Sequence, residues 1–202
     1  MNLGKQISPY ALLLLLLSGC TLPPVENLPD SPANTDSIAE ISVTDAKSVV
    51  EIKFVESAPK DIFVITNMGS CTLEELTIDL DLSPSVGKLI FDTTATGAGV
   101  DVFQPFEVEA GDIMPLAADG VNDGDTQLAL LITSLDPGDR ASFTIDVDDT
   151  LPRSDLGQIR VADSEISGAV VSITAGGTET ILATFDNGSV AQANLPSCLA
   201  TQ

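Results

Sequence analysis

The sequence predicts an all-β protein: one antiparallel β-sandwich of about 8–10 strands, set behind an N-terminal leader and a proline-rich tether. Three observations carry this. Apolar and polar residues alternate over several short runs, the period of a strand with one buried face. Clusters of Gly, Pro, Asn and Asp separate these runs about every 8–12 residues. No stretch beyond the tether repeats its apolar residues at helical spacing. The roughly 160 residues that follow suffice for a single core, and they contain no fixed-period repeat.

The first strand is predicted at Val49-Val50-Glu51-Ile52-Lys53-Phe54-Val55, where β-branched residues alternate with charge. Asp61-Ile62-Phe63-Val64-Ile65-Thr66-Asn67 follows, closed by a turn at Met68-Gly69-Ser70. Leu76-Thr77-Ile78-Asp79-Leu80-Asp81-Leu82 alternates strictly. A turn over Pro84 to Gly87 leads to Lys88-Leu89-Ile90-Phe91. Residues 92–125, rich in Gly, Asp and Ala, read as long loops with one short strand near Phe103 to Val108. Gln127 to Thr133 is the next strand, and Asp136-Pro137-Gly138-Asp139 is a turn. Ala141 to Asp148 alternates again, with Phe143, Ile145 and Val147 inward. Ser167 to Thr174, Glu179 to Phe185 and Ser189 to Leu195 complete the set. Gly176-Gly177 and Asp186-Asn187-Gly188 are hairpin turns of the kind that need positive φ.

Ahead of this domain lie a polar start, Met1 to Pro9 with Lys5, and an apolar run from Tyr10 that ends in Leu17-Ser18-Gly19-Cys20. A positive start, a short apolar centre and small residues before a cut are the layout of a secretory signal peptide. The run is far short of the ~20 apolar residues that a spanning helix needs. Its Leu-Ser-Gly-Cys ending resembles the lipobox of bacterial lipoproteins. The resemblance implies cleavage before Cys20, a thioether-linked diacylglycerol on that sulfur and an acylated amino terminus. It therefore implies attachment to a lipid bilayer, which several acyl chains make stable where one is marginal. Thr21 in place of an Asp favours the outer membrane by the same resemblance. The expected organisation is signal peptide 1–19, lipidated Cys20 and tether 20–40, and β-sandwich 41–202. Pro23, Pro24, Pro29 and Pro32 stiffen the tether, which reaches several tens of Å at ~3 Å per residue when extended.

Composition excludes several function classes. Lys5 is the only charge before Cys20, so the chain beyond it carries 7 basic and 30 acidic residues, a net charge near −23. Such a surface repels nucleic acid and anionic headgroups, and it attracts divalent cations. The acids are spread through the strands, so no acidic tail explains them. There is no His, which removes Ser-His-Asp and Cys-His catalysis and most zinc sites. There is no Trp, and the only Tyr is Tyr10 in the leader, which argues against a lectin that stacks sugar rings on aromatic platforms.

Cys71 and Cys198 remain once Cys20 is lipidated, and an even pair in an exported chain reads as a disulfide. Two free buried thiols are the alternative. Asp119-Gly120-Val121-Asn122-Asp123-Gly124-Asp125 is the candidate metal loop, with Asp119, Asp123 and Asp125 as ligands for calcium, a hard cation that takes several oxygens. Val121 stands at a ligand position and Leu130 where an EF-hand has Glu, so the loop is no EF-hand. The same stretch also reads as a solvated turn. Asp146 and Asp148 share one strand face, behind Thr144, and could meet Asp79 and Asp81 on a neighbouring strand. Opposed carboxylates are costly unless a cation bridges them. The plainer reading makes them the solvated face of their strand. A glycosidase would need two carboxylates in one cleft. Without aromatic walls or basic clamps, no catalytic residue is assigned and an enzyme is not expected.

One further resemblance covers about residues 60–195. Leu76-Thr77-Ile78-Asp79-Leu80, Leu89-Ile90-Phe91-Asp92, Leu135-Asp136-Pro137-Gly138-Asp139 and Phe143-Thr144-Ile145-Asp146-Val147-Asp148 stand in this order along the chain. Ile166-Ser167-Gly168-Ala169-Val170-Val171 and Phe185-Asp186-Asn187-Gly188 follow. Together they are similar to the core domain of sponge aggregation factor, a β-sandwich module of large bacterial exoproteins. The resemblance implies extracellular adhesion or matrix association. It carries no catalytic residues over. The function expected from sequence is a membrane-anchored binding or adhesion module, with an accessory lipoprotein docking an envelope protein as the alternative. A carboxylate hydrolase of glycans is a remote third. The expected partners are the bilayer and an envelope protein or glycan.

Overall fold

The structure, a computed structural model, describes residues 48–58, 60–152 and 160–196. The signal peptide, the tether, Cys20 and Cys198 lie outside the described residues.

Eleven strands and no helix form among the described residues. They are β1 (Ser48–Val55), β2 (Asp61–Asn67), β3 (Leu73–Asp81), β4 (Ile90–Asp92), β5 (Glu107–Ala110) and β6 (Ile113–Pro115). β7 (Gln127–Leu135), β8 (Arg140–Asp148), β9 (Val170–Ala175), β10 (Ile181–Thr184) and β11 (Val190–Leu195) follow. Every pairing is antiparallel. One sheet runs β11-β1-β2-β8-β4, with β5 also paired to β8, and the other runs β10-β9-β3-β7-β6. The all-β sandwich expected from the alternation is the fold observed. The region 92–125 differs: it holds two short strands, β5 and β6, where the sequence shows one.

The core follows from the period of two. Val50, Ile52 and Phe54 of β1 turn inward, as do Leu76, Ile78 and Leu80 of β3 and Phe143, Ile145 and Val147 of β8. Phe54, Phe63 and Phe143 are cross-strand partners in the first sheet. Their rings form a row, 5.1 Å between Phe54 and Phe63 and 5.1 Å between Phe63 and Phe143, the latter nearly parallel. Each such pair adds about 0.5–1.5 kcal/mol beyond area burial. Phe106 extends the row, its ring centroid 5.0 Å from that of Phe143.

Asn67 ties the two sheets at one end. Its amide donates to the carbonyls of Cys71 and of Leu135 at 2.8 Å each, and its side-chain oxygen accepts from Gly69 N–H. Gly176 and Gly177 have positive φ, as the sequence requires, and so does Gly138 in the turn before β8. The last hairpin does not place it on Gly188. There Ser189 takes φ 60°, because Asp186 Oδ1 accepts from both Gly188 and Val190 N–H and closes the turn by a side chain.

One edge of β8 sets up the site. β4 pairs with Asp146 to Asp148, and β5 with Ser142 to Thr144. The two short strands therefore run in line along a single edge. The fourteen residues between Asp92 and Glu107 are an excursion from it.

Candidate functional site

β8 has two buried faces. Phe143, Ile145 and Val147 enter the core, while Thr144, Asp146 and Asp148 point the other way and are still only 1% exposed. The excursion 93–106 covers that second face. Val100 N–H donates to Asp148 Oδ2 at 2.8 Å, and Asp146 N–H donates to the Gln104 carbonyl at 3.0 Å. Gly99 lies so close that a Cβ there would overlap the carboxylates of Asp92 and Asp148.

Asp92 ends β4 directly opposite Asp146. One oxygen from each of Asp92, Asp146 and Asp148 falls within 4.8 Å of the other two. Asp92 is fully buried. The ion pairs among the described residues join Lys60 to Glu107 and Glu109 and Arg160 to Glu56, so none neutralises this cluster. Asp92 Oδ2, Asp146 Oδ1, Asp148 Oδ1 and Thr144 Oγ1 are buried without a hydrogen-bond partner.

The electrostatics reflect that crowding. Burial, and then the charges of Asp148, Asp61 and Asp92, push the Asp146 carboxyl up to about 8. Burial is also the first cause that raises Asp92, followed by the hydrogen bond it shares with Asp123 and the charge of Asp148. Asp148 is raised by burial, against the pull of Val100 N–H. Asp61, at the start of β2, accepts from Ser57 and Val147 N–H, and burial still lifts it to about 7.

The sequence-predicted site residues fall in different places. Asp123 reaches the covering excursion and accepts from Thr93, Thr94 and Ala98 N–H at 2.9, 3.2 and 2.6 Å. The Ala98 N–H, with help from Thr93, Asp92 and Thr94, outweighs burial and holds its carboxyl below the usual range. Asp125 accepts from the backbone and side-chain nitrogens of Asn122. Asp119 is exposed. The three do not converge on one point among the described residues; Asp123 alone joins the cluster, through Asp92.

Asp146 and Asp148 do not meet Asp79 and Asp81. β3 belongs to the other sheet, and β8 pairs with β2, β4 and β5 instead. Their face is also not solvated, because the excursion lies on it. Asp92 and Gly99 are the members that sequence reasoning missed. The one available signal is an Asp closing the apolar run Leu89-Ile90-Phe91. Cys71 is disulfide-bonded, and Cys198 lies outside the described residues.

An open groove of about 460 Å³ lies beside the cluster, between the excursion and residues 115–121. Pro105, Phe106, Pro115 and Val121 give it apolar walls, with Thr93 and Asp119 as polar members. Met114 and Leu116, on either side of Pro115, are about half exposed. Comparison of this chain with protein-family models, with curated proteins and with solved structures finds no match.

Proposed function

We propose that the chain is a bacterial lipoprotein, anchored in the outer membrane through Cys20, that presents a non-catalytic β-sandwich as a binding module. Its contact surface is the groove between residues 93–106 and 115–121. The observation that carries this reading is the groove itself: open, walled by Pro and Phe, and built from loops fixed on a rigid sandwich. The partner it fits is a protein segment that sets an apolar side chain among basic ones, because the lining mixes Pro105, Phe106, Pro115 and Val121 with Thr93 and Asp119 and the chain beyond Cys20 carries a net charge near −23. The accessory role, docking an envelope protein, is a form of the same reading. A hydrolytic role is disfavoured by the seal over the carboxylates, since Asp92, Asp146 and Asp148 are at most 1% exposed and a glycan has no path to them.

Two measurements test it. Cys20→Ser should abolish processing and release the protein from the membrane fraction. Normal processing and retention would remove the anchor from the account. A photo-crosslinking residue at Ala118, in the groove, should trap a partner protein in intact cells. The same residue at Leu182, an exposed position on edge strand β10, should not. Equal yields at both positions would mean that the groove is not the contact surface.

A further inference from the structure

We propose that Asp92, Asp146 and Asp148 form a binding site for one calcium ion, which fastens the excursion 93–106 onto β8. Its ligands are not the acids of the loop Asp119 to Asp125, of which Asp123 alone touches the cluster, through Asp92, and it does not depend on whether the groove binds a partner.

Four observations converge on it. The first is spacing. Calcium–oxygen bonds of about 2.3–2.6 Å place ligands on opposite sides of the ion about 5 Å apart, and closer when adjacent. Oxygens of the three Asp residues within 4.8 Å of one another meet that requirement. The second is a separate side chain. Thr144 is 1% exposed, lies on the same strand face two residues before Asp146, and has a hydroxyl oxygen with no partner. A buried hydroxyl without a partner is costly, and a hard cation is the ligand that a neutral hydroxyl oxygen and three carboxylates would share. The third is the unfilled oxygens of the acids themselves, Asp92 Oδ2, Asp146 Oδ1 and Asp148 Oδ1. Backbone N–H groups fill only part of the demand: Val100 reaches Asp148, and Thr94 reaches Asp92 at a long 3.4 Å. The fourth is the lid. Gly99 has no side chain where any Cβ would strike two of the three carboxylates, so the backbone closes over them. Carbonyl groups of such a loop are the usual complement to Asp oxygens around calcium.

Ligand chemistry selects the ion. All candidate ligands are oxygens, and the chain has no His, so soft and borderline metals are disfavoured. Magnesium keeps several waters in a strict octahedron, whereas this face is sealed from solvent; calcium accepts irregular, mostly protein-derived oxygen shells. Without a cation, three carboxylates at this distance and burial must share protons.

The test is a calcium titration of the full-length protein in detergent after EGTA treatment, read by native mass spectrometry and by calorimetric melting at fixed ionic strength. One calcium per chain is expected. The melting temperature should rise by about 5–10 °C when calcium stands ~100-fold above its Kd. Magnesium should give a much smaller shift. Asp146→Asn takes one ionisable carboxyl out of the crowded cluster at nearly constant size, so it should melt at or above wild type in EGTA and yet gain nothing from calcium. Asp119→Asn should keep the full wild-type response. Absence of stoichiometric calcium would overturn the site, as would an equal rise with sodium chloride at matched ionic strength or a wild-type response in Asp146→Asn. The wild-type titration decides the point even if a variant fails to accumulate.

Discussion

Asp146 shows how one side chain can tie stability to pH. Its carboxyl is pushed up to about 8 and that of Asp61 to about 7, against 3.8 for the free side chain. A group raised in the folded state binds its proton more tightly there than in the unfolded chain. Its contribution is fully present below pH 3.8 and is lost as pH climbs through 7 and 8. In EGTA, the unfolding free energy should therefore fall between about pH 4 and 8, by about 1.4 kcal/mol per pH unit for each proton involved, and the melting temperature with it. Calorimetry across that range checks it. Asp146→Asn should flatten the profile, which separates this effect from relief of overall negative charge. A profile that stays as steep in the variant would leave Asp146 no share in the slope and assign it to the other raised carboxyls, Asp61 and Asp92, or to the surface. The alternation of Phe143, Ile145 and Val147 was legible in sequence, and so was the shared face of Asp146 and Asp148. That the face is buried was not, because burial comes from a segment with no period of its own. Asp92 was hidden for a related reason: it meets Asp146 only through the pairing of β4 with β8.

The element that makes the site is the interrupted edge strand. β4 and β5 occupy one edge of β8, and the chain between them folds back across the acidic face. Gly99 is its closest approach. Gly99→Ala should lift the excursion from the cluster and lower stability by about 1–3 kcal/mol, the usual cost of overpacking. Hydrogen exchange gives the local readout. The Val100 amide, which donates to Asp148, should lose protection while amides of β1 and β2 keep theirs. Unchanged protection at Val100 would mean that the loop has room to spare. Long strands and Gly-based hairpins read directly from sequence, since alternation and positive φ are local properties. β5 and β6 did not. The four residues of β5 are all exposed and β6 has three residues, too few to show a period. The turn before β11 misled for a different reason, because the Asp186 side chain supplies what Gly188 seemed to offer.

Across the whole molecule, the ends of the domain come together. β1 pairs with both β11 and β2, and Val50 stands between Ala193 and Asn67. The chain leaves β11 at Leu195, opposite Ser48, at the end of the sheet where Asn67 holds the Cys71 carbonyl. Cys71 is disulfide-bonded. Cys198 follows Leu195 by three residues, a reach of up to ~10 Å in extended chain. We therefore expect a Cys71–Cys198 disulfide that locks the last strand to the loop after β2. It would close a loop of about 127 residues and restrict the unfolded chain by about 4–5 kcal/mol in the entropic account. For a domain of this size, reduction should then lower the melting temperature by about 10–20 °C. Alkylation without reduction, followed by intact mass, should label neither cysteine, and Asp-N digestion should yield one linked peptide pair that reduction separates. Labelling of both thiols in the unreduced protein would refute the link. The melting comparison adds what mass cannot. A sandwich whose first and last strands already pair along six residues could hold without the bond, and a small shift on reduction would show that the ladder, not the sulfur bridge, keeps β11 in place.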